Sequence, residues 1–305
     1  MQRGQIIQSL SGFYDVNSEG KTYRTRARGN FRKQKISPLV GDWVEFERQE
    51  TGEGYILKIA SRKNQLVRPP LANIDQAVVV TACVQPDFST NLLDRQLVTL
   101  EEKHIRPIIY FTKGDLTPVT KRAALTQVAE DYRKIGYEVY LDWQAFLPSS
   151  IAALKADFSE QLTIFMGQTG AGKSTLLNQI DSNLKLQTGD VSQALNRGKH
   201  TTRKVTLFSI GNGLVADTPG FSSYTVFEMQ LKELKNLFPE IEKTGINCRF
   251  RECLHINEPN CAVKAAVEAG HIRQSRYDNY VQFFNLIKAQ KPDYERKGYS
   301  KKGRK

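Results

Sequence analysis

The sequence of 305 residues has no run of apolar residues long enough to span a bilayer. Its first five residues, from Met1 to Gln5, lack the apolar core of a signal peptide. These two absences argue against a membrane-spanning protein and against a secreted one. We therefore expect a cytoplasmic protein without a membrane partner.

Cysteine is also scarce, because the chain has only four, and this argues against a disulfide framework. Three of them, Cys248, Cys253 and Cys261, lie close together, with His255 among them. The spacing C-x4-C-x-H-x5-C supplies three thiolates and one imidazole, a ligand set typical of a structural, tetrahedral zinc site with no open position. We predict one structural Zn²⁺ there, whereas Cys83, in an apolar segment, is interpreted as a core residue.

Acidic residues are too few to balance the basic ones, since 32 Asp and Glu face 44 Lys and Arg and the formal net charge is +12. This surplus favours a polyanionic partner such as nucleic acid, and a basic protein without such a partner is the alternative. Residues 288–305 hold eight of the basic residues against two acidic ones. We interpret this tail as an RNA-binding arm, with a merely solubilising tail as the alternative.

Residues 1–68 contain short alternating segments separated by glycines, which predict a small β-barrel. The strands are expected at residues 5–14, 22–28, 42–48 and 55–60. Basic residues are interleaved with aromatic ones such as Tyr23 and Phe31, a combination that suits single-stranded or looped RNA through phosphate attraction and base stacking. An ordinary solvated strand face with core aromatics is the alternative.

From residue 69 the pattern changes to strands that alternate with helices, typical of a mainly parallel sheet covered on both faces. These strands are expected at residues 77–82, 107–111, 139–141 and 162–166. The helices between them are expected at residues 92–102, 123–135 and 151–156. Segments 205–209 and 214–216 flank Gly211-Asn212-Gly213, which predicts a hairpin at the antiparallel edge of the sheet. After residue 224 the strands stop, and helices are expected at residues 230–237, 262–269 and 273–289.

The chain is therefore predicted to be a multidomain α/β protein. We expect a barrel at residues 1–68, an α/β domain at residues 69–223, and a helical, zinc-binding domain with a basic tail at residues 224–305.

The segment from Gly167 to Ser174 follows the complete pattern G-x-x-x-x-G-K-[ST] of a phosphate-binding loop, after an apolar strand and before a helix. Such a loop turns successive backbone N–H groups toward the phosphates of a nucleotide at a helix N-terminus. Lys173 is expected to bridge the β- and γ-phosphates, and the Ser174 hydroxyl to ligate Mg²⁺. The predicted nucleotide-binding residues of this loop are Gly167, Gln168, Thr169, Gly170, Ala171, Gly172, Lys173, Ser174 and Thr175.

A second motif has the form of a guanine-reading sequence and follows a predicted strand. Its four residues, all predicted to bind the nucleotide, are Thr112, Lys113, Gly114 and Asp115. The Asp115 carboxylate can accept hydrogen bonds from the ring N1–H and the exocyclic amine of guanine, a donor pair that adenine lacks. The stem of Lys113 is expected to pack on the base.

A third motif, Asp217-Thr218-Pro219-Gly220, has the form of a magnesium and γ-phosphate sensor. Asp217 ends an apolar segment and can reach Mg²⁺ through water, and Gly220 lets its N–H approach the γ-phosphate. An ordinary GTPase runs phosphate loop, sensor, guanine motif, whereas here the guanine motif comes first. This order predicts a circularly permuted GTPase domain.

The segment 196–202 lies between the phosphate loop and the sensor. Thr201 and Thr202 can both complete the magnesium shell, and we favour Thr202. Many GTPases have a glutamine after the sensor glycine, but here that residue is Phe221, which cannot orient water. His200 is the predicted water-positioning catalytic residue. A basic surface loop carrying an ordinary surface histidine is the alternative.

Together these residues resemble the ribosome small-subunit-dependent GTPase A family, circularly permuted GTPases of bacterial small-subunit maturation. The resemblance rests on the motif order and the cysteine array, and it includes Leu93-Asp94-Arg95. It implies an oligonucleotide/oligosaccharide-binding (OB) barrel, a permuted GTPase domain and a C-terminal zinc domain. It also implies slow GTP hydrolysis stimulated by the small subunit, with release of the factor late in assembly. A histidine in the first switch is familial too, which supports His200.

The implied function is a GTP hydrolase that binds GTP and GDP, contacts rRNA and acts late in small-subunit assembly, and a monomer is expected. The alternatives are an RNA-binding module in which the nucleotide is only a regulatory ligand, and an ATPase of RNA metabolism. Two departures from the usual pattern stand out. Thr112 occupies a position where asparagine is common, and Asp142-Trp143-Gln144 replaces the expected Ser-Ala-type guanine-contacting turn.

Overall fold

The computed structural model describes residues 1–29, 31, 36–48, 52–67, 69–186, 205–217, 227 and 229–290. The chain forms two compact units, the first made of Met1–Ser89 and Thr99–Ser223 and the second of Thr90–Val98 and Tyr224–Lys305. Within the described ranges, no helix combines the length and the apolar character that crossing a bilayer requires. The division into three domains at residues 1–68, 69–223 and 224–305 stays a prediction.

The first unit begins with a closed five-stranded barrel. Its strands are β1 (Gln2–Leu10), β2 (Phe13–Ser18), β3 (Lys21–Ala27), β4 (Trp43–Arg48) and β5 (Gly54–Ile59). They are ordered β1-β2-β3-β5-β4, and β4 returns to pair with β1. Alternate residues point inward, as the two-residue period of a strand requires, and Ile6, Val16 and Phe46 fill the interior. The barrel expected from the sequence and the resemblance is confirmed.

One barrel strand differs from the prediction. The segment expected as a single strand at residues 5–14 is a hairpin, because the chain reverses at Ser11 and Gly12, whose φ angles are 49° and 82°. Left-handed backbone at two successive residues suits a tight hairpin turn that matches the twist of the strands. A Gly after a Ser is a weak turn signal inside an otherwise alternating segment, and β2 was therefore missed.

A two-stranded ladder of β6 (Gln65–Leu66) and β7 (Leu71–Ala72) follows the barrel. The α/β sheet then contains β8 (Gln76–Ala82), β9 (Arg106–Thr112), β10 (Glu138–Tyr140), β11 (Leu162–Met166), β12 (Thr206–Ile210) and β13 (Gly213–Asp217). The order is β10-β9-β8-β11-β13-β12, with all pairs parallel except the β12–β13 hairpin. This confirms the mainly parallel sheet with an antiparallel hairpin.

The hairpin is not a free edge, however. β12 pairs on its other side with β1, where Gln8 lies opposite Thr206, so one sheet of eleven strands runs from the α/β part into the barrel. An edge strand presents unpaired backbone groups, and the nine-residue β1 is long enough to cover them while also closing the barrel. This pairing joins segments nearly 200 residues apart, so no local sequence signal could indicate it.

In the described residues, four helices lie between these strands. They are α1 (Thr90–Glu102), α2 (Val119–Ile135), α3 (Pro148–Ala156) and α4 (Lys173–Ile180), and the first nine residues of α1 belong to the second unit. The central strands are buried on both faces, which explains their continuous apolar sequences. Val78, Phe165 and Leu176 lie in the same core cluster with Phe158. This core holds the carboxyl ends of the parallel strands in place.

The second unit is helical, as predicted, with α5 (Pro239–Gly245), α6 (Ala262–Glu268) and α7 (Gln274–Ala289). The prediction of an α-helix at residues 230–237 is wrong, since only Leu234–Leu237 is helical and this segment is a 3₁₀ turn. Leu231, Leu234 and Leu237 recur every third residue, which matches the three residues per turn of a 3₁₀ helix. The α5 helix that follows was not predicted.

A buried ion-pair network ties the second unit together. Arg276 is only 1 % exposed, and its guanidinium donates to Glu240 through Nε and Nη2 at 2.5 and 2.9 Å. Its Nη1 donates to Asp94 at 2.6 Å, and Asn279 donates to the other oxygen of Asp94 at 2.6 Å. Because every partner is satisfied, the desolvation cost of these charges is offset within the network.

Candidate nucleotide site and metal centre

The three predicted nucleotide motifs end three parallel strands of one sheet. The guanine motif ends β9, the phosphate loop follows β11, and Asp217 ends β13. Since β9, β8, β11 and β13 are neighbours and parallel, these ends lie at the same carboxyl edge of the sheet. This edge is where open α/β sheets bind their ligands. The permuted chain order therefore preserves the spatial arrangement of a nucleotide site.

The phosphate loop depends on glycine at two positions. Gly167 has φ of 140°, and a Cβ there would lie 2.0 Å from the carbonyl oxygen of Val80. Gly172 has φ of 92° and caps α4, so the following N–H groups point out of the helix N-terminus. Lys173 Nζ donates to the carbonyl oxygens of Gly167 and Gln168 at 2.7 and 2.9 Å. These bonds hold the ammonium group over the loop, where an anion can be bound.

The guanine motif is joined to the phosphate loop by one buried hydrogen bond. The Thr112 hydroxyl donates to the carbonyl oxygen of Ala171 at 2.6 Å, and both residues are buried. Lys113 adopts a left-handed φ of 59° and its Nζ donates to the carbonyl oxygen of Gln85. The Asp115 side chain is exposed at the same edge. Thr112 thus holds the guanine motif against the phosphate loop, at a position where asparagine is common in GTPases.

The segment that replaces the expected Ser-Ala-type turn lies directly beside the guanine motif. A Cβ on Gly114 would fall 1.9 Å from the carbonyl oxygen of Asp142, so only glycine permits this approach. The Arg122 guanidinium lies 5.2 Å from the centre of the Trp143 ring and its Nε donates to the Thr117 carbonyl oxygen at 3.1 Å. Sequence reasoning missed the Arg122–Trp143 contact, which no local pattern signals.

Four predicted residues of this site lie wholly or partly outside the described residues. Asp217 is the last residue of β13, where its backbone pairs with Thr206, but its side chain lies outside the described part. Gly220, Thr202 and His200 also lie outside the described residues. Their predicted roles stay predictions.

The cysteine cluster comes together in the second unit. The ligand atoms of Cys248, Cys253, His255 and Cys261 all lie within 4.8 Å of one another. Cys261 Sγ lies 3.8 Å from both other sulfur atoms, and His255 Nδ1 lies 3.5 Å from Cys248 Sγ and 3.4 Å from Cys261 Sγ. A tetrahedron with metal–sulfur bonds of about 2.3 Å and metal–nitrogen bonds of about 2.0 Å has edges of about 3.8 and 3.5 Å. The four residues can therefore hold a tetrahedral metal ion.

The loop around this centre is fixed by its own hydrogen bonds. The Glu258 carboxylate accepts from the backbone N–H groups of Leu254, Ile256 and Asn257 at 2.7, 2.9 and 3.1 Å. The hydroxyl of Tyr277 donates to the His255 carbonyl oxygen at 2.7 Å, and His255 has a left-handed φ of 61°. These contacts set the orientation of the ligands, as outer partners of metal sites do.

One thiol of the cluster is buried deeply enough to resist ionisation on its own. Burial raises the pKa of Cys253 to about 12, so a thiolate there needs a positive charge beside it. Burial also raises the pKa of Cys83 to about 11; this residue directly follows β8 in the first unit and is not one of the four clustered ligands. Cys83 is therefore the core residue that the sequence predicts and not a fifth ligand.

Comparison with known proteins gives consistent matches over the whole chain. A family model described as the RsgA GTPase matches residues 59–227, and one described as the RsgA N-terminal domain matches residues 3–56. The chain is 63 % identical over 305 residues to the small ribosomal subunit biogenesis GTPase RsgA of Pediococcus pentosaceus, covering 100 % of this chain and 99 % of that protein. It is 56 % identical over 298 residues to RsgA 1 of Lactiplantibacillus plantarum, covering 97 % and 100 %.

Solved structures show the same architecture. The crystal structure of YloQ, described as a circularly permuted GTPase, has a TM-score of 0.82 and 44 % sequence identity over 96 % of each chain. YjeQ from Thermotoga maritima has a TM-score of 0.80 and 31 % identity over 95 % of this chain and 99 % of that chain.

Proposed function

The chain belongs to the RsgA GTPase family, and from this premise we propose that this circularly permuted GTPase is a late maturation factor of the small ribosomal subunit. The observation that carries the proposal is the hydrogen bond from Thr112 to Ala171, which joins a guanine motif to a phosphate loop at one sheet edge. We also propose that the protein acts in the cytoplasm, as a monomer.

In the proposed nucleotide site, each described motif has one task. The N–H groups from the phosphate loop and the start of α4 bind the phosphates, with Lys173 between the β- and γ-phosphates. Ser174 and Asp217 would hold Mg²⁺, which neutralises charge on the phosphates. Asp115 selects guanine by accepting two hydrogen bonds that adenine cannot donate. Thr202 is proposed to complete the magnesium shell and Gly220 to report the γ-phosphate.

Water activation is assigned to His200. Phe221, after the sensor glycine, carries no polar group that could orient a water molecule. A neutral imidazole can accept a hydrogen bond from water and so align it with the γ-phosphate. A side chain of this kind must be brought into place, and we propose that the small subunit does so, which makes hydrolysis slow without it.

We propose Zn²⁺ as the metal of the second unit. Three thiolates and one imidazole at tetrahedral spacing are the ligand set of structural zinc, and all four positions are taken by protein. When bound, the ion neutralises the buried thiolates and links the loop 248–261 into the aromatic core around Tyr280. It supplies stability and no chemistry.

The proposed partner is the RNA of the small subunit. Residues 1–68 carry thirteen basic and seven acidic residues, a net charge of +6. On the barrel surface the guanidinium groups of Arg24 and Arg26 lie 4.4 and 4.2 Å from the centre of the Phe13 ring. Arginines held on an aromatic surface suit both phosphate contacts and stacking on bases.

The test is phosphate release from GTP and from ATP, each with and without purified small subunits. We expect slow GTP turnover alone, stimulation by subunits, and no comparable ATP turnover. The Lys173→Met variant should lose the activity, whereas Lys155→Met, a matched change on exposed α3, should retain it. Cosedimentation with subunits in GTP, GDP and a nonhydrolysable analogue completes the test. Turnover that subunits do not stimulate would favour the RNA-binding module with a regulatory nucleotide.

A further inference from the structure

A groove of about 610 Å³ lies between the barrel and the turn of the β12–β13 hairpin, inside the first unit. This volume falls within the range of about 300–1,000 Å³ typical of ligand sites. Arg3 of β1 and Trp43 of β4 form one wall, Asn17 follows from β2, and Asn212 closes the other side. The groove lies away from the nucleotide edge, because the hairpin turn is at the opposite end of β13 from Asp217.

We propose that this groove binds one unpaired nucleotide of an RNA strand, with the base stacked against Trp43. The inference rests on the proposed function, since it names where the RNA partner is read. Barrels of this kind use aromatic side chains as stacking platforms for bases, whichever base is present.

The aromatic and the charged part of the site are adjacent. Trp43 is 42 % exposed although tryptophan is normally well buried, so an extended apolar ring faces the groove. The Arg3 guanidinium lies 5.5 Å from the centre of this ring. The Ser18 hydroxyl donates to the Arg3 carbonyl oxygen at 2.7 Å, which fixes the backbone from which this side chain extends. A base on Trp43 would thus place its phosphate within reach of a cation.

The groove also offers groups that recognise base edges. The side-chain amides of Asn17 and Asn212 each supply a donor and an acceptor. Glu19 adds a carboxylate that accepts a hydrogen bond from an exocyclic amine and repels a phosphate. The hairpin turn that carries Asn212 is itself packed tightly against the chain at Phe158, since a Cβ on Gly213 would lie 1.8 Å from the Phe158 carbonyl oxygen.

Charge favours RNA over a protein partner. The net charge of +6 on residues 1–68 attracts a polyanion at long range, and the ring and amides then select an unpaired base. A double helix keeps its bases stacked and cannot present a single ring to Trp43. The site therefore takes single-stranded or extruded nucleotides.

The experiment measures binding of a labelled single-stranded RNA of about eight nucleotides to the full chain with the nucleotide site saturated by GDP. We expect Trp43→Ala to weaken binding roughly 5- to 150-fold, because a base–aromatic stack is worth about 1–3 kcal/mol. Trp43→Phe should restore most of the affinity. Arg3→Gln should reduce the salt dependence by about one phosphate contact. Arg48→Gln, a matched charge change at the exposed end of β4, should alter affinity by about twofold or less.

Trp43 also provides a direct signal. The chain has two tryptophans, so a Trp143→Phe background leaves Trp43 as the only indole, and stacking should change its emission on addition of RNA. Competition by free AMP as strong as by the oligonucleotide would show a mononucleotide site instead. Equal competition by duplex RNA, or unchanged RNA affinity in Trp43→Ala, would overturn the proposal.

Subunit-stimulated GTP hydrolysis is followed in the same preparations. Normal stimulation in the wild-type chain together with unaltered RNA binding in Trp43→Ala would refute the groove and leave the proposed function standing. Reduced cosedimentation of Trp43→Ala with subunits, without any effect on RNA binding, would assign the groove to a ribosomal protein. Absence of stimulation in the wild-type chain would refute the proposed function itself.

Discussion

Replacing Thr112 by valine removes a single hydroxyl from the joint between the guanine motif and the phosphate loop. Valine keeps the shape and volume of threonine, so the packing of this side chain beside Gly172, where an added Cβ would lie 3.7 Å away, is preserved. What is lost is the 2.6 Å hydrogen bond to Ala171. The carbonyl oxygen of the buried Ala171 then loses this donor.

The expected loss of folding free energy in Thr112→Val follows from the burial of the Ala171 carbonyl oxygen. A buried acceptor without a partner costs about 1–3 kcal/mol, more than the net value of an exposed hydrogen bond. In a unit of about 200 residues, this corresponds to a fall of roughly 2 to 12 °C in Tm. Part of the cost should appear as weaker nucleotide binding, because the N–H groups of the loop are held less firmly. We expect affinity for GDP to fall about two- to tenfold, equivalent to about 0.4–1.4 kcal/mol.

Thermal unfolding and titration with a fluorescent GDP analogue measure both effects. Thr112→Ser restores the hydroxyl and should recover most of the affinity. Thr163→Val is the matched control, because Thr163 is buried on β11 and its hydroxyl accepts from Gln76 at 2.9 Å, away from the loop. It should lower stability without changing GDP affinity. The reasoning fails if Thr112→Val binds GDP as the wild type does, or if Thr163→Val weakens binding equally.

Three further outcomes are expected. Asp115→Asn should shift preference from guanine to xanthine nucleotides in competition binding, and unchanged preference would contradict its role. Cys261→Ser should lose bound zinc and unfold the second unit while GDP affinity persists, and metal analysis showing one zinc per chain would contradict this. Burial and then the nearby Glu138 carboxylate raise the pKa of Asp157, so the folded state binds that proton more tightly than the unfolded state. Asp157→Asn should therefore raise Tm at neutral pH, with the gain fading below about pH 4; a constant gain would exclude this cause.

Local signals allowed the sequence to predict much of the nucleotide edge. The strand at residues 162–166 is confirmed with its bounds, because a continuous apolar run followed by a glycine-rich loop is sufficient to place it. The helix α4 after the phosphate loop and the helices α6 and α7 were also predicted from local sequence. The cysteine array was predictable for the same reason, since its four ligands lie within one short segment.

Contacts between distant segments could not be predicted in this way. The approach of Asp142 to Gly114 depends on the parallel pairing of β9 with β10, which a pattern of short strands does not specify. The Thr112–Ala171 bond likewise joins residues 59 positions apart and requires the order β9-β8-β11. The sequence motifs identified both residues. Only the sheet topology, however, shows that a threonine at position 112 can hydrogen-bond to the phosphate loop.

In the second unit, too, a contact between distant segments could not be predicted from the sequence: Asp94 and Arg276 form an ion pair although they are 182 positions apart. Arg276 is buried, and removing one partner of such a pair costs about 3–5 kcal/mol because a charge is left without compensation. Glu240 satisfies only part of the guanidinium, and Asn279 also depends on Asp94. Residues 90–98 are therefore required by the core of the second unit and not merely attached to it. The Leu93-Asp94-Arg95 segment, noted in the sequence only for its resemblance, has this physical explanation.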